Sequence, residues 1–260
     1  MKKTIFIFFL FAVSLFCLAG KGAVQVQLDK DKTFQNAFAL ISESDLYCSF
    51  FLLEDMPDLK ITASEKPGEK MIFADGDLVY IQNTESARLK EGQSMMVLEI
   101  GPTVTCPSTK KSLGPVAFRR GRVRIVRFEK KLAIARVEKA CGQVMVGDFL
   151  VPFVEKEGLL GKDLGFDVPA RGEEPLSGQI LFLDNEFVQV GPGQWALIDL
   201  GKNNGIHVGQ QLTIFHQAGK DLPLESVANV IVVDAGRLAS TVKVLSAKDA
   251  VRLGDIVQMK

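Results

Sequence analysis

Residues 121–152 read GRVRIVRFEKKLAIARVEKACGQVMVGDFLVP, and residues 228–259, ANVIVVDAGRLASTVKVLSAKDAVRLGDIVQM, repeat the same pattern. An offset of 107 sets Val123 on Val230, Ile125 on Val232, Ala135 on Val242, Val137 on Val244 and Ala140 on Ala247. It also lays Gly147-Asp148 on Gly254-Asp255. Each copy reads as strand, tight turn, strand, short connection and a Gly-Asp turn into a last strand. Further upstream the offset is 117: Gly76-Asp77-Leu78-Val79 falls on Gly193-Gln194-Trp195-Ala196, and Glu91-Gly92-Gln93 on Val208-Gly209-Gln210. The change in offset predicts a longer loop in the first copy, around Thr103 to Leu113. The chain is expected to hold two diverged copies of one β module.

Working outward, the segments before and between the copies are short apolar runs broken by turn chemistry. Tyr47–Glu54, Leu59–Ala63, Lys70–Ala74 and Leu78–Ile81 are separated by Met56-Pro57-Asp58, Lys66-Pro67-Gly68 and Asp75-Gly76-Asp77. Strands at this spacing without intervening helices predict an all-β chain of two tandem antiparallel barrels or sandwiches. Module 1 is expected over 45–154 and module 2 over 178–260. The Gly- and Pro-rich stretch 155–177 between them reads as a linker. Ahead of module 1, Phe34, Ala37, Phe38 and Ile41 have helical spacing, and Asp31 suits an N-cap, so a short leading helix is expected over 31–43.

At 260 residues, with 47% hydrophobic and 24% charged, the chain has the composition of a folded protein. Its 31 Lys and Arg balance 31 Asp and Glu, which argues against nucleic acid as a partner. Lys2-Lys3, the apolar run Ile5–Leu18 and the small residues Ala19 and Gly20 have the form of a secretory signal peptide over 1–20. The run is shorter than the roughly 20 apolar residues of a spanning helix, so no transmembrane span is expected in the mature chain, which is read as periplasmic. A lipid anchor on Cys17 is the weaker alternative, because Phe16 stands where a lipobox places Gly or Ala. Cleavage leaves Cys48, Cys106 and Cys141 in an oxidising compartment. Either Cys106 and Cys141, both between strands of module 1, form a bridge, or all three are unbridged thiols.

Groups that carry chemistry are sparse. His207 and His216 match no common metal spacing, and no Cys-x-x-Cys, nucleophile elbow or phosphate loop is present. Asp234-Ala235-Gly236 has the outline of an aspartic-protease motif, but alanine replaces the hydroxyl residue and the aligned first copy reads Arg127-Phe128-Glu129. Neither a catalytic centre nor a cofactor is expected. The polar feature that stands out is basic: Arg120, Arg122 and Arg124 alternate with Gly121, Val123 and Ile125, so a strand would carry the three arginines on one face. Such a strip either docks an acidic partner or anionic polymer, or is the solvated face of a half-exposed strand. A single Trp195 with Tyr47 and Tyr80 offers little for stacking sugars.

The stretch QWALIDLGKNNGI at 194–206, with Val208-Gly209-Gln210-Gln211-Leu212 and Leu253-Gly254-Asp255-Ile256-Val257, resembles the C-terminal domain of flagellar assembly protein T. It is also similar to the C-terminal region of the secretin-associated envelope proteins of type IV pilus systems, which carry a peptidoglycan-binding LysM domain in front. Glu91-Gly92-Gln93 and Val146-Gly147-Asp148 echo it in module 1, while no LysM-like segment precedes Tyr47. The resemblance implies a non-enzymatic periplasmic protein that supports a secretin or a flagellar or pilus ring through contacts with envelope proteins. A glycan- or ligand-binding role through module 1, with peptidoglycan as the ligand, is the alternative.

Overall fold

A computed structural model describes residues 38–65, 68–82, 89–107, 109–168, 176–219 and 222–260. The signal-peptide reading lies outside the described residues, as does the first half of the expected leading helix. The chain begins with β1 (Phe38–Ile41), α1 (Glu43–Cys48) and β2 (Phe50–Leu52). The first barrel follows as β3 (Leu59–Ser64), β4 (Ile72–Phe73), β5 (Leu78–Gln82), β6 (Ser94–Thr105), β7 (Ser112–Glu129), β8 (Leu132–Ala140), β9 (Val144–Met145) and β10 (Phe149–Pro152). β11 (Leu159–Gly161) pairs back with β1. The second barrel holds β12 (Ser177–Leu183), β13 (Gln189–Val190), β14 (Trp195–Ile198), β15 (Gln211–His216), β16 (Glu225–Ala235), β17 (Ser240–Ala247), β18 (Val251–Arg252) and β19 (Ile256–Met259).

Both barrels are closed, six-stranded and antiparallel, with the same circuit. In the first it runs β3-β5-β8-β7-β6-β10 and back to β3; in the second, β12-β14-β17-β16-β15-β19 and back to β12. Closure leaves neither circuit with an open edge of its own. The small ribbon β4–β9 of the first recurs as β13–β18 in the second. Even the irregularities repeat. The unpaired residues Arg120, Val126 and Glu138 that bulge β7 and β8 recur, 107 positions later, at Val227, Val233 and Leu245 in β16 and β17. Bulges bend a strand and tighten its twist, which a six-stranded barrel needs at its corners.

Three turns per barrel explain the glycines that revealed the repeat. In Ala74-Asp75-Gly76-Asp77 the amide of Asp77 bonds the carbonyl of Ala74 at 3.1 Å, while the Asp77 carboxylate accepts the amide of Ala74 at 2.7 Å. Gly76 sits at φ +92, a conformation that a side chain disfavours. Its counterpart Gly191-Pro192-Gly193-Gln194 makes the same two bonds, with the Gln194 amide oxygen in place of the carboxylate. The other turns, ending in Gln93 and Asp148, match those ending in Gln210 and Asp255 bond for bond. The side chain thus closes the turn, and the glycine allows it.

The interiors fill as strand alternation predicts. Ile61, Ile81, Met95, Val97, Val123 and Leu150 form the first core with their neighbours; Ile180, Ile198, Leu212, Ile214, Val230 and Val257 occupy the same places in the second. One cross-strand pair is exchanged. Val79 faces Ala135 in the first barrel, and Ala196 faces Val242 in the second, so the summed volume is unchanged.

Two expectations are corrected. Residues 38–41 are strand and not the second half of a helix, because β1 finds an antiparallel partner in β11 and buries Ile41. The short helix starts afterwards, at Glu43, under a capping box. Ser42 Oγ accepts the amide of Asp45 at 3.2 Å, and the Asp45 carboxylate accepts the amide of Ser42 at 2.8 Å. The insertion in the first copy lengthens two strands as well as the loop that joins them. β6 and β7 run past the barrel wall as a two-stranded arm, with Ile100–Thr105 against Ser112–Ala117, and β2 adds a third strand beside it. The arm exists to reach the second barrel: Phe50, Leu52, Val104 and Val116 pack with Phe182, Leu197 and Ala239 in one apolar cluster.

Candidate functional site

The Arg120 bulge divides the basic strip: Arg122 and Arg124, opposite Met96 and Ser94, share the outer face of β7, while Arg120 turns to the other face beside Glu99 and Phe118, and none of the three is an unpartnered cation. Arg120 Nε lies 2.5 Å from Glu99, with its guanidinium 4.9 Å from the Phe118 ring centre. Arg122 Nε lies 2.8 Å from Glu138, and Arg124 pairs with the same carboxylate. Arg124 also donates to the carbonyl of Gly92 at 3.1 Å. Neighbouring strands therefore supply two carboxylates for three arginines. Exposed pairs of this kind contribute little to stability, about 0–1 kcal/mol each, but they remove most of the field that a free polyanion would follow.

A cleft of about 290 Å³ opens beside this strip, between α1 and the barrel wall. Of the three arginines only Arg122 lines it, joined by Lys139, Met96 and Phe153 from the barrel and by Glu43 and Tyr47 from the helix side. Gly121 forms part of the floor; a Cβ there would stand 2.5 Å from the carbonyl of Lys139, so only glycine permits the β7–β8 approach. Arg122 also stacks 4.9 Å over the Phe153 ring.

The cleft's rim carries the disulfide, and the pairing differs from the expected one: Cys48 bonds Cys141, with Cα atoms 5.4 Å apart. Cys141 donates its amide to the carbonyl of Arg120, at the base of the arm. Cys106 is buried near the arm's tip, where its amide bonds Lys111. From Lys111 to Arg120 is nine residues of strand, roughly 30 Å at about 3.3 Å per residue, far beyond the reach of a disulfide. Cys48 arrives instead because α1 lies along the foot of β7.

A buried arginine and its partners join the two barrels. Arg119 pairs with Leu98 and so, across the Arg120 bulge, lies on the same face as Arg122; it is 8% exposed. It donates to Asp234 of the second barrel at 2.5 Å and to the carbonyl and hydroxyl of Ser49 at 3.0 and 2.9 Å, and its guanidinium lies 4.3 Å over Phe51. Lys156 approaches the same carboxylate at 3.1 Å. Burial opposes the charge of Asp234, but Arg119 and Lys156 outweigh it and hold the carboxyl below its ordinary range. The Asp-Ala-Gly segment thus presents a locked carboxylate and not a proton carrier. Around it, Lys243 bonds Asp45 at 2.7 Å, Thr241 donates to the carbonyl of Phe50 at 2.8 Å, and Arg237 pairs with Glu54 at 2.7 Å. Sequence reasoning missed Arg119, Asp45 and Cys48. The Ser42-x-x-Asp45 capping box was the available signal for α1, and hence for where Cys48 goes.

Two further polar sites correspond to each other. Asp148 ends the last turn of the first barrel, 6% exposed, and its carboxyl is pushed up to about 6. Desolvation is the main cause, reinforced by Glu99 and opposed by the Met145 amide and by Arg120. At the equivalent place Asp255 faces His216, whose Nδ1 lies 2.8 Å away. Among the described residues no group of three His, Cys, Asp or Glu side chains is placed to hold a metal ion. Nor is any helix among them long and apolar enough to cross a membrane. No protein-family model matches this chain, and neither does any curated protein.

Proposed function

We propose that this protein is a non-enzymatic scaffold of the cell envelope, exported to the periplasm, which holds other envelope proteins through the surfaces of its two barrels. A secretin or a flagellar or pilus ring is the kind of assembly it would support. The observation that carries this reading is the ion-paired joint between the barrels, centred on the buried Arg119. Arg119, Asp234 and Asp45 each fasten one barrel, or the α1–β2 segment between them, to its neighbour. An arm of ten extra residues serves the same joint. A chain that invests its strongest interactions in fixing two modules to each other is suited to presenting surfaces at a set spacing. The Cys48–Cys141 bond, with the N-terminal pattern of Lys2-Lys3 and Ile5–Leu18, supports an oxidising compartment.

Fractionation of cells producing the tagged chain, followed by crosslinking and identification of the attached proteins, tests this. The expected result is a periplasmic protein crosslinked to components of an envelope assembly. Cytoplasmic retention with Cys48 and Cys141 reduced would overturn it.

A further inference from the structure

The repeat offers an internal comparison at the cleft. Five barrel residues line it: Met96, Gly121, Arg122, Lys139 and Phe153. By the offsets of the repeat their counterparts are Thr213, Ala228, Asn229, Ser246 and Lys260. The strand registers agree, since Arg122 faces Met96 and Lys139 just as Asn229 faces Thr213 and Ser246. On the second barrel this face is occupied. The connecting segment that follows β11 lies across it, and four of the five counterparts bond it.

The bonds are those of a docked peptide. Ser246 Oγ donates to one oxygen of the Asp163 carboxylate at 2.6 Å, and Asn229 Nδ2 donates to the other. Thr213 accepts the amide of Asp167 at 3.4 Å, and Lys260 Nζ donates to the carbonyl of Gly165 at 2.5 Å. Gln211 clamps the backbone from both sides, accepting the amide of Leu164 at 2.9 Å and donating to the carbonyl of Lys162 at 2.8 Å. Burial opposes the charge on Asp163, yet the Ser246, Gly165 and Asn229 donors keep its carboxyl below the ordinary range. One carboxylate in an irregular strand of chain is what this face of the module holds.

On the first barrel the same face is the open cleft, and its two carboxylate-binding positions have changed from Asn and Ser to Arg122 and Lys139. The substitution strengthens the preference for an anionic group, since charge-assisted bonds are roughly twice as strong as neutral ones. Of the charged side chains lining the cleft, Arg122 and Lys139 outnumber Glu43. Glu138, which pairs with Arg122 and Arg124, does not line the cleft.

We infer that the cleft between α1 and the first barrel is a docking site for an extended, acidic segment of a partner protein, its carboxylate seated between Arg122 and Lys139 as Asp163 is seated between Asn229 and Ser246. The partner uses the mode that the chain already uses on itself. This rests on the scaffold function proposed above and names the surface and the partner chemistry.

The test places a photo-crosslinking amino acid in the full-length chain, in cells, at Ser44, which lines the cleft from α1, and separately at Lys131 in the distant β7–β8 turn. Crosslinked peptides are then sequenced. The expected product at position 44 is a partner peptide containing Asp or Glu. Its yield should fall at least tenfold with Arg122→Gln and be retained with Arg122→Lys, which keeps the charge. A yield at 44 that ignores Arg122→Gln overturns the inference, as does a crosslink to the chain's own residues before 38 or to a neutral segment. Crosslinks to envelope proteins at 131 but none at 44 overturn the cleft and leave the scaffold reading standing. No crosslinked protein at either position overturns both.

Discussion

The two barrels agree in everything that closes them and differ in everything that covers them. Circuit, ribbons, side-chain-locked turns and bulge positions recur at fixed offsets. The outer faces do not. Arg119 of the first barrel has Ser226 as its counterpart; Arg122 has Asn229; Glu99 has His216. An arm projects from one hairpin and not from the other. The closing features are set by backbone geometry, which tolerates few alternatives, whereas an outer position is free to change once a second copy exists. Divergence has made one barrel the holder of the arm and the other its receptor. Each prediction below asks whether a difference between the copies does the physical task assigned to it.

The largest effect is expected at the joint. Arg119→Ala would leave Asp234 buried with only Lys156 as counter-ion, and removing one member of a buried pair costs about 3–5 kcal/mol. Urea unfolding should show this loss, while Arg119→Met with Asp234→Leu should recover a good part of it, since well-packed apolar replacements avoid the uncompensated charge. A loss below about 1 kcal/mol in Arg119→Ala would mean that the joint is held by the Phe50–Phe182 cluster alone.

The disulfide comes next. It spans 93 residues and has no counterpart in the second barrel. Replacing Cys48 and Cys141 by serine should lower stability by about 2–4 kcal/mol, mainly by freeing the unfolded chain. Limited proteolysis should find the new weakness in residues 42–54, the segment that the bond ties to the first barrel.

These two features also mark how far the sequence could be read. The repeat was legible because Gly76, Gly147 and their counterparts must stand at positive φ and because the core residues alternate along the strands. The arm was not. Gly101, Pro102, Gly114 and Pro115 look like loop residues, and the pattern of Val104, Leu113 and Val116 becomes meaningful only with Phe182 and Leu197 opposite. Phe38 and Ile41 satisfy a helical period, yet pairing with β11 decides their state, and that partner is more than a hundred residues away. At the candidate site, Arg122 and Arg124 were visible by alternation, whereas the bulge that sends Arg120 to the other face was not. Their neutralisation by Glu99 and Glu138 was hidden, since it depends on strand register and on the Arg120 and Glu138 bulges.

A third test uses pH. Asp148 titrates near 6 in the folded protein but at about 3.8 in the unfolded chain, so folding is favoured by its protonation. That contribution is fully present below pH 3.8 and is lost as pH rises through about 6. At pH 7, Asp148→Asn should therefore be more stable than the native chain by about 3 kcal/mol, given about 1.4 kcal/mol for each unit. The asparagine oxygen can still accept the Met145 amide. The gain should vanish near pH 4. Glu99→Gln should shrink this gain, since Glu99 adds to the desolvation that raises the Asp148 carboxyl; a gain that does not change in the Glu99→Gln background would refute the assigned role of Glu99.

The smallest effect concerns the exchanged core pair. If Val79–Ala135 and Ala196–Val242 are two solutions to one volume constraint, Ala196→Val alone overfills the second barrel against Val242 and should cost about 1–2 kcal/mol. Adding Val242→Ala recreates the first barrel's arrangement and should restore most of the loss. The coupling between the two changes in a double-mutant cycle should be about 1 kcal/mol and favourable. Additive effects would mean that the two interiors have relaxed independently and that the exchange is coincidence. A measured coupling would show that the copies still share one interior shape, so that their divergence is confined to the surfaces through which the protein is proposed to act.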